Sequence, residues 1–325
     1  MARTQKPRML AIGTATQDVF LTSKSFKPHR EEDGEYYEEF LLGAKLAIEG
    51  VTFATGGNAM NAAVTFARQG LESEFMGILG VEPAGQVVMN ALDTEGIATH
   101  HVAADDRFQT SYSTILLAPN GERTILNYHG TKLPDSGAPL DLAAVEHADW
   151  LYLSSVGSMA LLEKIVSRAA KAGVQVALNP SGAELAEAAK LRTVLDDVSV
   201  LLVNKEEMKQ IVEGNTLEEL VRHGANLVRT VVVSDGPRGV MATDSTKIVK
   251  AGTYEDVPVI DRTGAGDAFG SGFVAWHAAG KSLEGAVTFA SANATSVVTQ
   301  IGATAGILHA HARTHDMPLT VKDFR

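Results

Sequence analysis

Residues 261–272, DRTGAGDAFGSG, combine small side chains, hydroxyl groups and two carboxylates at the start of a predicted helix. Small residues let backbone N–H groups approach an anion closely, and the N-terminus of a helix adds a partial positive charge. The backbone of residues 264–267 is therefore a candidate phosphate cradle. Asp267 would repel a phosphate, so its presence makes chemical sense if it accepts a proton from an attacking hydroxyl. The alternative is that Asp267 only caps the helix, and the residues alone leave both interpretations open.

A second glycine cluster, Thr55-Gly56-Gly57-Asn58-Ala59-Met60-Asn61, begins another predicted helix. Paired glycines at this point allow a ligand to approach the backbone. The Asn61 side chain can both donate and accept hydrogen bonds, as recognition of a polyol requires. The same pattern also fits a tight strand-to-helix turn with Asn58 as the cap.

Two common nucleotide motifs fit this chain poorly. The P-loop pattern requires a glycine where the chain has Ala275, five residues before Gly280-Lys281-Ser282. The dinucleotide pattern is approximated by the glycines of residues 264–270, but the acid that should end a second strand, Glu284, falls in a predicted helix. An NAD-dependent enzyme is thus a remote alternative.

Short apolar runs alternate with amphipathic segments along most of the chain, which predicts parallel strands joined by helices. All four predicted helices are followed by a glycine, the residue that most easily adopts the left-handed conformation of a helix C-terminus. The predicted strands are residues 9–12, 74–78, 150–154, 174–178, 198–203, 230–234 and 257–260, and the predicted helices are 58–69, 83–95, 160–172 and 268–279.

Two segments, residues 20–53 and 110–128, interrupt this alternation. The second has two β-rich runs on either side of Asn120-Gly121, a dipeptide that favours tight hairpin turns. We expect the two segments to form a small β subdomain, either a lid over a cleft or an ordinary antiparallel edge extension. Residues 1–19, 54–109 and 129–325 are expected to form one large α/β domain that binds nucleotide and substrate.

The composition excludes several classes of protein. The 325 residues are 45% hydrophobic and 21% charged, as in ordinary globular proteins. The net charge of −11 would repel a polyanion, so we expect no nucleic-acid partner. No apolar run approaches the roughly 20 residues of a membrane span, and the chain has no cysteine; we expect a cytoplasmic protein. No acid completes a metal-ligand set with His309, His311 and His315, so we expect no metal site at the C-terminus.

The two glycine motifs together resemble the two signatures of the ribokinase-like (PfkB) family of carbohydrate and nucleoside kinases. The resemblance implies a three-layer α/β/α domain with a mostly parallel sheet and a small β lid. It also implies ATP-dependent transfer of the γ-phosphoryl group to a hydroxyl of a sugar or sugar derivative. Two alternatives stay open: an adenosine-type nucleoside kinase and a non-catalytic metabolite-binding protein on the same fold. Asn58-Ala59-Met60 differs from the sequence of ribokinase itself, so ribose is not favoured as the acceptor.

The resemblance also implies roles for individual residues, with ATP and Mg²⁺ as cofactors. Asp267 would be the general base, and the backbone of Gly264, Ala265, Gly266 and Asp267 the anion hole. Substrate binding is expected at Asp18, Gly56, Gly57, Asn61 and, on the lid, Arg123, which could equally be a solvated charge. Nucleotide binding is expected at Asn204, Ser234, Gly236, Gly239 and Asn293.

Two metal roles are also implied. Glu207 would hold Mg²⁺ through water, and Asp261 with carbonyls near Gly302 could bind K⁺. The position of Arg262 beside the cradle leaves its role open. The strand edges of a lid are compatible with a homodimer through the lid.

Overall fold

The computed structural model describes residues 6–119, 122–254 and 257–325. These residues form sixteen strands, nine α-helices and three short 3₁₀ helices. The strands are β1 (Arg8–Gly13), β2 (Thr16–Thr22), β3 (His29–Arg30), β4 (Tyr36–Tyr37), β5 (Gly50–Gly56), β6 (Glu72–Leu79), β7 (Ala98–Ala104), β8 (Ser111–Leu117), β9 (Arg123–Tyr128), β10 (Trp150–Ser154), β11 (Gln175–Asn179), β12 (Val200–Asn204), β13 (Thr230–Ser234), β14 (Val240–Thr243), β15 (Lys247–Ala251) and β16 (Leu319–Asp323).

The helices connect these strands and cover the main sheet. The α-helices are α1 (Asn58–Arg68), α2 (Pro83–Thr94), α3 (Met159–Ala172), α4 (Gly182–Leu185), α5 (Ala188–Val194), α6 (Lys205–Ile211), α7 (Leu217–Gly224), α8 (Ala265–Ala278) and α9 (Leu283–Val298). The 3₁₀ helices are Leu142–His147, Leu195–Asp197 and Gly236–Arg238. Among the described residues no helix is both long and apolar enough to cross a membrane.

Ten strands form the main sheet, in the order β16-β15-β14-β13-β12-β11-β10-β1-β6-β7. From β13 to β7 neighbouring strands are parallel, and β14, β15 and β16 add an antiparallel extension at one edge. The carboxyl ends of parallel strands meet at one edge of the sheet, which is where α/β proteins bind ligands.

Helices cover both faces of the main sheet. Along β1, Leu10 and Ile12 belong to one buried cluster, which also contains residues of α3 to α7. Met9 and Ala11 belong to a second cluster, with residues of α1, α2, α8 and α9. Successive strand side chains point to opposite faces, so this alternation within one strand is what a three-layer α/β/α arrangement requires.

A separate four-stranded sheet has the order β5-β2-β8-β9. Strand β2 pairs in parallel with β8, and β8 pairs antiparallel with β9. The two interrupting segments of the sequence therefore meet in one sheet, which is not an extension of the main sheet. The sheet begins at Thr16, earlier than the expected residue 20. The predicted Asn120-Gly121 turn lies outside the described residues.

Most predicted elements agree with the structure, and two do not. Six predicted strands and three predicted helices match within two residues at each end. The predicted strand at 257–260 is wrong: the N–H groups of Ile260 and Asp261 donate instead to the carbonyl oxygen of Val298, at the end of α9. Helix α8 starts three residues earlier than predicted, because Gly264 rather than Asp267 lies at its N-cap.

Candidate active site

The N-terminus of α8 presents open backbone. Gly264 has a φ of 78°, and a Cβ there would overlap the side chain of Ala303, so glycine is needed for both conformation and space. At Gly266, by contrast, an added Cβ would meet no described atom within 4 Å. The first N–H groups of an α-helix have no acceptor within the helix. An anion could therefore approach these groups at the positive end of the helix.

Asp267 lies in this first turn and bonds to another helix rather than to its own N-terminus. Its Oδ2 accepts a hydrogen bond of 2.8 Å from Nδ2 of Asn61, and no side-chain cap is formed at the described start of α8. The capping interpretation is therefore wrong. Burial raises the pKa of Asp267 to about 6, although the hydrogen bond from Asn61 opposes that rise. A carboxylate with a pKa near neutrality can accept a proton and release it again.

Asn61 is 2% exposed and lies in the first turn of α1, whose N-cap is Gly57 and not the predicted Asn58. Its amide nitrogen must face Asp267, because an ionised carboxylate can only accept hydrogen bonds. Its amide oxygen Oδ1 is buried and has no hydrogen-bond partner among the described residues. Leaving such an oxygen unpaired costs about 1–3 kcal/mol. A ligand hydroxyl is therefore the natural partner of this atom.

Asp18 lies on β2 and is 4% exposed. Burial raises the pKa of Asp18, while hydrogen bonds from Ser113 and Thr16 lower it and the nearby charge of Asp261 raises it. A Cβ at Gly56 would overlap Oδ2 of Asp18.

At Gly57, φ is 92° and a Cβ would lie 2.5 Å from the Cα of Ala15. The paired glycines therefore leave room for the Asp18 carboxylate and for the turn into α1.

Asp261 is 1% exposed, and both oxygens of its carboxylate accept hydrogen bonds within the protein. Oδ1 accepts from the backbone and side chain of Thr263 at 3.0 and 2.7 Å, and Oδ2 accepts from the N–H of Gly302 at 3.0 Å. Nε of Arg123, on β9, is buried, has no acceptor among the described residues and lies 4.0 Å from Oδ1 of Asp261. Arg123 therefore lies near this carboxylate, although its side chain is 27% exposed. The positive charge of Arg123 would compete with a potassium ion for this carboxylate.

A cavity of about 400 Å³ adjoins the start of α8. That volume falls within the roughly 300–1,000 Å³ of small-molecule sites. Most of its lining is apolar, including Phe269 and Val298. It is also lined by Ser234, Gly236 and Gly239 after β13, and by Arg262, Ala265 and Gly266 at α8. The structure thus brings the predicted glycine turn and the predicted phosphate cradle to one cavity, with Arg262 at its wall.

Asn204 and Glu207 form a capping box at the start of α6. The Glu207 N–H donates to Oδ1 of Asn204 at 2.9 Å, and the Asn204 N–H donates to Oε2 of Glu207 at 2.8 Å. Asn204 pairs with Ser234 in the main sheet, so the box lies at the same edge as the cavity. Burial raises the pKa of Glu207, while hydrogen bonds from the backbone and the side chain of Asn204 to the Glu207 carboxylate lower it. The box is not part of the cavity lining.

Asn293 does not contact the cavity, which corrects the role expected for it. It is fully buried in α9, its Nδ2 donates to the carbonyl oxygen of Ala268 at 2.8 Å, and its Oδ1 accepts from the N–H of Leu308 at 2.8 Å. Both ends of the amide are therefore used to join α8, α9 and the C-terminal segment.

The sequence interpretation missed several residues that support Asp267. Ser271 Oγ lies 2.8 Å from Oγ1 of Thr65 and donates to the backbone oxygen of Asp267 at 2.6 Å. Thr65 follows Asn61 by four residues and Ser271 follows Asp267 by four, so helical periodicity could have identified this second link. Tyr152 lies buried under α8 opposite Gly270, and burial and the charge of Asp267 raise its pKa. No local signal in the sequence connects Tyr152 to α8.

Comparison with known protein families gives a consistent result. The sequence model described as pfkB family carbohydrate kinase matches residues 33–310. The chain is 28% identical over 276 residues to a ribokinase from Haemophilus influenzae, covering 82% of this chain and 88% of the relative. It is 26% identical over 268 residues to a fructokinase from Vibrio alginolyticus, covering 76% and 86%.

A solved structure shares the fold. The structure of Arabidopsis thaliana ribokinase complexed with ribose and ATP superposes with a TM-score of 0.77 at 22% identity, covering 94% of this chain and 97% of that one. This similarity confirms the predicted ribokinase-like α/β/α fold.

Proposed function

Because the chain belongs to the pfkB family of carbohydrate kinases, we propose that it transfers the γ-phosphoryl group of ATP to a hydroxyl of a sugar or sugar derivative. The observation that carries this proposal is the Asn61 amide: its nitrogen donates a hydrogen bond to Asp267, and its buried oxygen has no partner in the described part of the chain. Two neighbouring hydroxyls of one sugar can satisfy this arrangement, since one can donate to the Asn61 oxygen and the other to the Asp267 carboxylate. The second hydroxyl is the one that reacts.

Asp267 acts as the general base. As the sugar oxygen bonds to the γ-phosphorus and the bond from phosphorus to the leaving oxygen of ADP breaks, the hydroxyl proton passes to the Asp267 carboxylate. The backbone N–H groups at the start of α8 stabilise the negative charge of the transferred group. Arg262, which lines the adjoining cavity with Gly266, adds a positive charge next to the phosphates.

The cavity beside α8 holds the nucleotide. Its apolar walls can cover the faces of an aromatic base, as small-molecule sites commonly do. Gly236 and Gly239 lie in the turn between β13 and β14 and line the cavity together with Ser234. Because this turn lies close to Gly266, ATP bound in the cavity would have its phosphates at the N-terminus of α8.

Glu207 fits a role in holding Mg²⁺ through water. Its Oε2 is engaged by the capping box, and Oε1 can accept from a metal-bound water. Burial raises the pKa of Glu207, and a nearby cation would favour its ionised form. Bound Mg²⁺ would neutralise charge on the phosphate oxygens of the nucleotide. At Asp261 we propose that Arg123 supplies the positive charge, so that K⁺ is not required.

The four-stranded sheet forms a lid over the acceptor site. Asp18, on β2 of this sheet, is buried and held by Ser113 and Thr16, so it can orient acceptor hydroxyls. Closure of such a lid excludes water and so limits wasteful hydrolysis of ATP. Residues 20–53 and 110–128 would accordingly be the core of a lid subdomain, extended to Thr16 and Gly56 by β2 and β5.

A sugar acceptor is favoured over a nucleoside. A nucleoside site usually has an aromatic surface on which the base stacks. Among the aromatic residues around the lid segments, Phe20 is only 1% exposed and Tyr112 is half-buried on β8. Tyr36 and Tyr37 are exposed on β4 and border a different cavity, on the outer part of the lid. The polar groups near Asp267, by contrast, are those that bind hydroxyls.

We also propose a homodimer, because apolar side chains on the lid are exposed. Large apolar side chains on its edge strands face solvent: Phe53 on β5 and Leu126 and Tyr128 on β9 are 67%, 57% and 52% exposed. A second copy of the chain could cover them. Light scattering of the purified protein would give the mass, and a monomer at all concentrations would contradict the dimer.

The experiment that tests the reaction is a coupled assay of ADP release with Mg²⁺ and a panel of pentoses, hexoses, sugar acids and nucleosides. The proposal expects turnover with a sugar or sugar acid. Turnover with nucleosides alone would show that the acceptor is a nucleoside and not a sugar. If a panel member binds tightly and no acceptor increases ADP release, the non-catalytic binding protein is the correct alternative.

A further inference from the structure

Two successive histidines of β7, His100 and His101, both lie close to Glu74 on the neighbouring strand β6. In a regular strand, consecutive side chains point to opposite faces. Here Glu74 pairs with Ala98 but Met76 pairs with His101, so β7 contains one residue more than β6 in this interval. Such a bulge re-aims side chains. The two imidazole rings consequently lie with their centroids 3.9 Å apart.

Three potential metal ligands meet at this bulge. Oε2 of Glu74 lies 3.3 Å from Nε2 of His101 and 4.0 Å from Nε2 of His100. One ligand atom from each residue lies within 4.8 Å of the others. In a tetrahedral site with bonds of about 2.1 Å, the ligand atoms are about 3.4 Å apart. Small side-chain movements would therefore bring three ligand atoms to three corners of a tetrahedron, and His100 is free to move because its side chain is 60% exposed.

The remaining oxygen of Glu74 is already held. Nη2 and Nε of Arg8 donate to Oε1 at 2.8 and 3.2 Å, which leaves Oε2 facing the histidines. Carboxylate ligands of metals are commonly oriented by a hydrogen bond of this kind. The positive charge of Arg8 is offset by the nearby acids Glu72 and Asp149, as well as by Glu74 itself.

This cluster is remote from the candidate active site. Glu74 pairs with Leu10 near the start of β1, whereas the acceptor and phosphate sites lie beyond the other end of that strand, at Gly57 and Gly264. The cluster lies on the last two strands of the main sheet, β6 and β7. A metal here would fasten the edge strand to its neighbour without contact with the reacting groups.

We propose that Glu74, His100 and His101 form a binding site for a divalent transition-metal ion such as Zn²⁺, with water as the fourth ligand. Two imidazoles and one carboxylate are a ligand set that Zn²⁺ accepts. Mg²⁺ prefers oxygen ligands in an octahedron, so the magnesium of the kinase reaction is not its occupant. The site would be separate from the phosphoryl-transfer reaction.

The test uses untagged, chelator-treated, dialysed protein without nucleotide. Titration with Zn²⁺ is followed by calorimetry, and Co²⁺ is used as a spectroscopic probe of geometry. The expected result is one tight site per chain, an intense visible Co²⁺ band typical of four-coordination, and a higher Tm in Zn²⁺, because a ligand of the folded state stabilises it. His101→Ala and Glu74→Gln should each weaken Zn²⁺ binding by more than the roughly 10–100-fold that the loss of a ligand's hydrogen-bond partner costs, because each removes a ligand atom.

Controls separate this site from other histidines of the chain. His100→Ala changes a mostly exposed side chain and should fold normally, yet should lose the tight site. His309→Ala and His311→Ala alter histidines outside the cluster, and both variants should keep the tight Zn²⁺ site. Zn²⁺ affinity unchanged in His100→Ala and His101→Ala would overturn the proposal. So would weak binding spread over several sites, with an octahedral Co²⁺ spectrum and no change in Tm.

Discussion

The amide nitrogen of Asn61 lies 2.8 Å from Oδ2 of Asp267 and links two helices whose bonded residues are 206 positions apart in the chain. One turn further along both helices, Ser271 and Thr65 form a second link with their hydroxyls 2.8 Å apart. The orientation of the proposed base therefore depends on α1 as much as on α8. The pairing also gives Asn61 a measurable effect on the ionisation of Asp267.

We predict that Asn61→Ala moves the acidic limb of the pH–rate profile to higher pH. Burial raises the pKa of Asp267 to about 6, and the hydrogen bond from Asn61 lowers it. A general base works in its ionised form, so wild-type kcat/KM should fall as the pH drops below about 6. Without the donor, the ionised form is less stable and the fall should begin at higher pH. The measurement is kcat/KM for the acceptor between pH 5 and 8.

Thr65→Val is the matched control for this prediction. Thr65 contacts Ser271 and not the Asp267 carboxylate, so its substitution should leave the acidic limb where it is in the wild type. An Asn61→Ala profile whose acidic limb coincides with that of the wild type, or lies at lower pH, would argue against Asp267 as the titrating base.

The sequence predicted the parallel strands because strand periodicity is a local pattern. The glycines of residues 264–266 are also a local pattern, and the anion site that they predict at the start of α8 stays a prediction. Contacts between distant residues carry no local pattern. Asn293 was therefore assigned to the nucleotide although its amide joins α8 to the C-terminal segment. The approach of Arg123 to Asp261 and the histidine pair produced by the bulge in β7 likewise become visible only in three dimensions.

Two glycines in the same turn should respond differently to alanine. At Gly266 a Cβ has room in the protein itself but would intrude where the phosphate approaches. Gly266→Ala should thus lower kcat/KM for ATP by about tenfold or more and leave Tm unchanged or slightly raised, since alanine favours helix.

Gly264→Ala is the matched variant. It places a side chain at a φ of 78° and against Ala303, and should destabilise the fold by about 1–3 kcal/mol. Steady-state kinetics and thermal unfolding of both variants check the contrast. Loss of stability in Gly266→Ala with normal kinetics would indicate that residue 266 serves packing and not phosphate binding.

Arg123 should determine how the enzyme responds to monovalent cations. Its guanidinium stands 4.0 Å from the buried Asp261 carboxylate, where a second cation would be repelled. We predict equal wild-type activity in K⁺ and in a bulky organic cation at the same ionic strength. Arg123→Ala should lose activity and recover part of it in K⁺. Strong activation of the wild type by K⁺ would show that the cation and Arg123 do not compete.

The most direct test of the account is Asp267→Asn, assayed with the acceptor that the wild type phosphorylates. The variant keeps the shape of the side chain but removes the base, so kcat should fall by about 10²–10⁴-fold while the affinity for ATP, measured by calorimetry, stays close to that of the wild type. Asp105→Asn, which alters a carboxylate paired with Arg107, should retain full turnover. Near-normal turnover by Asp267→Asn would contradict the proposed mechanism.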